Sequence, residues 1–170
     1  MPAIVLLDPR VHDREEFLCG VEPLDRYIRE RAAADVRKNV AVCYVVTPDD
    51  DPSTILGFYT LSSLSIALTR LPDAERKRLP KYPNVPATLI GRLAVSSGRR
   101  GQKLGELLLL DASRRALHTS DAIGSALVVA DAKDEQAAGF YLQYGFERFT
   151  TDPMRPYIPM GVVARLFPNA

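Results

Sequence analysis

The turn from Ser96 to Lys103, SSGRRGQK, is the stretch best equipped to do chemistry. It follows an apolar run from Thr88 to Val95 and opens a leucine-rich helix that starts at Gln102. A strand feeding a glycine-bearing loop into a helix is a device for holding phosphate. Free N–H groups of the first helical turn point at the anion, and the helix dipole favours negative charge there. The stretch therefore predicts a site for a phosphorylated cofactor. The two cysteines, Cys19 and Cys43, lack metal-ligand spacing, so no metal site is expected; they are read as small buried hydrophobes.

Other elements must hold this turn. Gln102 to His118 is the strongest helix in the chain, with Leu104, Leu107, Leu108, Ala112 and Ala116 on its buried face. Ser125 to Ala130 is a short apolar strand. Asp134 to Tyr144 is a helix closed by Gly145. Short strand pieces are expected at Phe146 to Thr150 and Tyr157 to Val163. Upstream, Ala3 to Asp8 is a strand and His12 to Gly20 a brief helical piece burying Phe17 and Leu18. The run PLDRYIRERAAADVRK places Leu24, Tyr27, Ile28, Ala32 and Val36 at spacings of three and four, behind Pro23 at a helix start. Its opposite face, with Arg29, Arg37 and Lys38, is either a solvated surface or a contact for a polyanion. Val40 to Thr47 and Ile55 to Thr69 form a long antiparallel hairpin around a Pro48–Pro52 turn. Pro72 to Lys81 is a short, charged helix or turn, and Pro83 and Pro86 bracket an extended lead into the strand at Thr88. The order gives an α/β (α+β) fold with a mixed central sheet and helices on both faces.

At 170 residues, the chain suits one domain spanning 1–170. No apolar run approaches the roughly 20 residues that cross a bilayer. The opening MPAIVLLDPR lacks a basic lead, so no signal peptide is expected and a cytoplasmic protein is. The net charge of +1 hides three basic segments: Arg26 to Lys38, Arg76 to Lys81, and Arg99 to Lys103. If they converge they would follow an RNA backbone; if they diverge they are solvation. No RNA-binding motif with interleaved aromatics is present.

Around Arg100 the element order and local sequence resemble the GNAT N-acetyltransferases. Their acetyl-CoA loop, Gln/Arg-x-x-Gly-x-Gly/Ala, is matched by Arg100-Gly101-Gln102-Lys103-Leu104-Gly105, with Lys103 where glycine is usual. Their final helix shows Asn-x-x-Ala-x-x-aromatic/aliphatic-Tyr followed by Gly-Phe. Here Ala137, Phe140, Tyr141, Gly145 and Phe146 match, and Asp134 replaces the Asn. A closer resemblance is to the GNAT toxins of bacterial toxin–antitoxin modules. It rests on Phe17-Leu18-Cys19-Gly20, on Gly57-Phe58-Tyr59-Thr60-Leu61, and on Pro86 followed by Gly91-Arg92-Leu93-Ala94-Val95. The resemblance implies acetyl-CoA as cofactor and the α-amino group of an aminoacyl-tRNA as acceptor. It also implies a ribbon-helix-helix antitoxin and a homodimer.

Site roles follow from that resemblance. The sheet is expected to splay at the cofactor, so that backbone groups of Leu93, Ala94 and Val95 pair with the pantetheine arm. The pyrophosphate would sit on the N–H groups from about Gln102 to Gly105, where Gly105 permits close approach. Lys103 either lends charge to a phosphate or points to solvent, and a positive φ there would strain it. Arg99 and Arg100 are either phosphate or nucleic-acid contacts or charges in a turn. Asp134 joins the cofactor-binding set, and Arg29, Arg37, Lys38, Arg78, Lys81, Arg92 and Arg99 are candidate substrate contacts. Tyr141 is the candidate catalytic residue, because a phenol of pKa about 10 can protonate a departing thiolate at neutral pH. An α-amine of pKa about 8 is partly neutral already, so the lack of a strong base suits it better than a lysine. His12 and His118 lie far from the motifs; Asp134 and Glu135 are the nearest carboxylates. The rival functions are acetylation of a small amine, an antibiotic or a protein N-terminus, and non-catalytic acyl-CoA binding.

Overall fold

The computed structural model describes residues 2–169. Its six strands are β1 (Ala3–Leu6), β2 (Val42–Thr47), β3 (Gly57–Ala67), β4 (Asn84–Val95), β5 (Leu127–Ala130) and β6 (Tyr157–Pro159). They lie in sequence order across one sheet. β1–β2, β2–β3 and β5–β6 are antiparallel and β4–β5 is parallel, so the sheet is mixed, as expected. The six helices are α1 (Glu22–Glu30), α2 (Ala32–Arg37), α3 (Asp73–Arg76), α4 (Leu104–Thr119), α5 (Glu135–Gln143) and α6 (Met160–Leu166).

The chain clusters into two compact units. The first takes residues through Ser62 together with Gly91–Ala112; the second takes Ser63–Ile90 and everything from Ser113 onward. The core of the first joins Phe17, Tyr27, Ile28, Cys43, Val45, Phe58 and Ala94. Phe58 meets Phe17 edge-on at 5.4 Å and stacks on Tyr27 at 6.2 Å. The core of the second joins Ile66, Val85, Leu127, Val129, Phe149 and Tyr157. Both cysteines are buried and free. Leu104, Leu108, Ala112 and Ala116 are buried on α4, and Leu107 is half-buried, matching the helical spacing read from the sequence.

Four expectations are corrected. His12 to Gly20 is not helical: Asp13 bridges to Thr54, and its carboxylate accepts the N–H groups of Glu15 and Glu16. A side chain that bonds nearby backbone offers an alternative to the helix. Phe17 is buried, but Leu18 is 57% exposed. The helix after Pro23 breaks at Arg31, whose φ is −120°, leaving α1 and α2. β4 begins at Asn84 and takes in Pro86, whose carbonyl accepts the N–H of Ala126 at 2.9 Å. The chain near the C-terminus carries one strand and a helix in place of the expected strand pieces. Glu147 makes only a bridge to Tyr157, and Pro159 then starts α6, whose Met160 and Val163 are buried one helical turn apart.

Candidate active site

The β4–β5 register runs from Ala87–Leu127 to Ile90–Ala130, and the Asp131 N–H closes it on the Ile90 carbonyl at 3.0 Å. No β5 partner is recorded for Gly91 to Val95 among the described residues. A strand that outruns its neighbour keeps main-chain donors and acceptors available for an extended ligand. Leu93 and Val95 are half-buried and Ala94 is buried. On the β3 side the backbones crowd: a Cβ on Gly57 would stand 2.8 Å from the Ala94 carbonyl oxygen.

The turn after β4 is strapped down within the first unit. Ser96 N–H bonds the Leu56 carbonyl at 2.8 Å. Ser97 donates to the Leu18 carbonyl twice, from its backbone N–H at 2.9 Å and its hydroxyl at 3.1 Å. The Arg100 Nη2 donates to the Cys19 carbonyl at 2.8 Å. Cys19 is held from its other side, since its N–H bonds the Asp25 carboxylate at 2.8 Å. Asp25 is 2% exposed, so that carboxylate is a fixed acceptor. The turn itself winds through Gly101 at φ +82° and Lys103 at φ +59°. The Lys103 carbonyl then accepts the Leu107 N–H, and α4 begins. Gly101, Gln102 and Lys103 are exposed, Leu104 is buried and Gly105 is half-buried in the first turn of α4. α4 is anchored by Asp111, which accepts the Tyr59 hydroxyl at 2.6 Å.

Arg92 is half-buried, its guanidinium 3.7 Å from the centre of the Tyr27 ring and its N–H on the Thr60 hydroxyl. This is a cation–π contact at close range. Arg99 is exposed in the turn, Arg29 is half-buried on α1, and Arg37 and Lys38 are exposed at the end of α2. Arg78 and Lys81 are exposed in the second unit, after α3.

The second unit also carries Tyr141 and Asp134. Asp134 is the N-cap of α5, accepting the Ala137 N–H at 2.8 Å. Tyr141 is 3% exposed and packs against Phe140 and Phe146, each ring 5.4 Å away. Burial pushes its phenol pKa up, and the carboxylate of Asp131 pushes it further. Asp131 is itself held by Arg155 Nε at 2.6 Å. The carboxylates nearest in sequence are engaged: Asp134 in its cap, Glu135 with Arg148 at 2.9 Å. His12 is 7% exposed, and its Nδ1 accepts the Asp8 N–H at 2.9 Å. Burial lowers its pKa, so it is a neutral structural group at physiological pH. Among the described residues, no cluster of three His, Cys, Asp or Glu could hold a metal, and no helix is long and apolar enough to cross a membrane.

Sequence reasoning missed Asp25, the Leu18 and Cys19 carbonyls and the Tyr59–Asp111 pair. The two carbonyls were hidden by the wrongly expected helix before Gly20, and Asp25 because its partner, the Cys19 N–H, lies on that same segment. The fourth joins residues 52 positions apart, which no local pattern reveals.

The outrun strand, the turn with two left-handed positions and the helix behind it form the frame of this site. The family model described as "Acetyltransferase (GNAT) domain" matches residues 40–148, and the chain belongs to that family. Within it the chain is similar to a probable toxin TacT of Sinorhizobium fredii (strain NBRC 101917 / NGR234). Identity is 30% over 167 residues, covering 94% of this chain and 92% of the relative. It is also similar to a tRNA-acetylating toxin of Mycobacterium tuberculosis (strain ATCC 25618 / H37Rv), 34% identical over 148 residues and covering 85% and 86% of the two chains. Among solved structures, a KacT mutant superposes with a TM-score of 0.91 at 27% identity, covering 98% of this chain and 99% of that one. AtaT complexed with acetyl-methionyl-tRNAfMet superposes at 0.90 with 25% identity and the same coverage.

Proposed function

We propose that this chain is an acetyl-CoA-dependent N-acetyltransferase toxin that acetylates the α-amino group of an aminoacyl-tRNA. The acetylated product has no free amine, which would block translation. The observation that carries this reading is the likeness to a tRNA-acetylating toxin over 85% of the chain.

The residues present fit the cofactor. The exposed turn at Gly101 to Lys103 and the first N–H groups of α4 suit a diphosphate. Main-chain groups of Leu93, Ala94 and Val95 suit an extended pantetheine arm. Acetyl-CoA supplies an acetyl group on a thioester whose departing sulfur takes up a proton. Tyr141 is the donor in this reading, since its raised pKa keeps the proton on the phenol across the neutral range. Arg29, Arg37, Lys38, Arg78, Lys81, Arg92 and Arg99 are the proposed substrate contacts. Of these, Arg92 lies with its guanidinium over the Tyr27 ring.

The same reading supplies a ribbon-helix-helix antitoxin as partner, a homodimer as the working form and the cytoplasm as location. The test is acetyl transfer from labelled acetyl-CoA to a bulk pool of charged tRNA, with mass spectrometry of the released amino acids. An N-acetylated amino acid is expected. Absence of product from every isoacceptor, with transfer to a small amine intact, would replace the tRNA reading by the small-amine one.

A further inference from the structure

Of the seven tyrosines and six phenylalanines, Tyr82 alone is exposed, at 65%. It lies in the connection between α3 and β4, where the function described so far uses nothing aromatic. Two backbone bonds present it. The Tyr82 N–H closes a tight turn on the Pro80 carbonyl at 2.9 Å, and the next residue, Pro83, accepts the Leu68 N–H at 3.0 Å. Prolines at 80 and 83 fix φ on both sides of it. An aromatic ring held outward on a stiffened segment costs little conformational entropy when something stacks on it.

Beside Tyr82 is a cleft of about 390 Å³ lined by Leu68, Arg76, Lys77, Lys81, Tyr82 and Pro83. Leu68, Tyr82 and Pro83 give it apolar walls; Arg76, Lys77 and Lys81 give it cations. Arg76 is paired with Asp73, and Arg78 reaches Glu75 at 3.9 Å. Lys77 and Lys81 have no recorded ion-pair partner among the described residues. The whole cleft belongs to the second unit.

We propose that this cleft is a nucleotide subsite, in which an unpaired base of the RNA substrate stacks on Tyr82 while its phosphates meet Lys77 and Lys81. Single-stranded RNA is bound by this combination of an aromatic face and backbone-tracking cations. An acidic peptide would use the lysines but leave the apolar walls and the exposed ring without a role. The inference rests on the tRNA reading and goes beyond it by assigning a stacking residue.

The experiment measures affinity of the full-length chain for a bulk uncharged tRNA pool as a function of salt, and acetyl-CoA affinity beside it. Tyr82→Ala is expected to weaken tRNA binding about tenfold with the salt slope unchanged, as loss of one base–aromatic stack does. Tyr82→Phe keeps the ring and is expected to bind within twofold of the parent. Lys77→Ala with Lys81→Ala is expected to flatten the plot of log affinity against log salt by about one to two, as lost phosphate contacts do. Acetyl-CoA affinity should not move in any of them. Unchanged tRNA affinity in Tyr82→Ala, while the parent acetylates charged tRNA, overturns the subsite alone. The same result with loss of a copurifying protein partner assigns the surface to that protein and also overturns it. A parent that neither binds nor acetylates tRNA overturns both readings together.

Discussion

The Arg100 guanidinium donates to the Cys19 carbonyl across 81 positions of sequence, at 2.8 Å. The contact ties the turn proposed to hold the cofactor to a segment that Asp25 holds from behind. Asp25 thus holds the turn through two hydrogen bonds in series. Asp25→Ala leaves the Cys19 N–H unpaired and is expected to cost about 1–3 kcal/mol of stability. It should also raise the KM for acetyl-CoA several-fold while kcat changes less than twofold. Asp25→Asn keeps an acceptor oxygen and should recover both. Steady-state kinetics and urea melts of the two variants check this; a fall in kcat with KM unmoved would contradict it.

Tyr141→Phe keeps the ring contacts with Phe140 and Phe146 and removes only the hydroxyl. The expected loss in kcat is about a hundredfold or more, the usual scale of a positioned general acid. Circular dichroism and acetyl-CoA affinity should match the parent. The raised phenol pKa also sets a pH expectation: the parent's kcat should show no descending limb from this group below pH about 10. A descending limb near pH 8 that Tyr141→Phe abolishes would contradict the raised phenol pKa.

Lys103 sits in the left-handed region at φ +59°, where a side chain costs about 1–2 kcal/mol. Glycine removes that cost but adds about 0.4–1 kcal/mol of unfolded-chain entropy. Lys103→Gly is therefore expected to raise stability by up to about 1.6 kcal/mol, read as a higher urea midpoint. Because the proposed diphosphate contacts are main-chain N–H groups, acetyl-CoA affinity should stay within twofold. A larger loss, repeated in Lys103→Asn, would show the ammonium on a phosphate.

Cys43 is 1% exposed, and burial pushes its thiol up to about 12 from an ordinary 9.0. The native state therefore holds this proton more tightly than the unfolded chain does. The associated stability is fully present below pH 9 and is lost as pH rises towards 12. Native protein at pH 8 should leave Cys43 unmodified by a thiol reagent that labels it in urea. Cys43→Ala should flatten the alkaline decline in urea midpoint; an equal decline would assign it to the tyrosines.

Much of the proposed cofactor site was legible because it is local. The strand, turn and helix from Thr88 to His118 follow each other in sequence, and the leucine spacing of α4 announces its buried face. Gly145, at φ +94° after α5, was legible for the same reason. What was hidden depends on partners far away in sequence. Nothing near Arg100 says that its guanidinium is taken by Cys19, and nothing near Asp111 points to Tyr59. The region before Gly20 misled because Asp13 spends its carboxylate on the local backbone. Tyr82 stood in plain view among lysines and prolines, but a single ring gives no periodicity to read.

The division of the chain into units is not a division of its length. The first unit is completed by Ala112, whereas Tyr141 belongs to the stretch from Ser113 onward. During synthesis the turn proposed to hold the cofactor is therefore made before the phenol proposed to act on it. A premature stop after codon 112 would yield every residue of the first unit and omit Tyr141, the proposed proton donor. A frameshift between codons 113 and 141 would thus keep the sequence of the turn proposed to hold the cofactor and lose the phenol proposed to act on it.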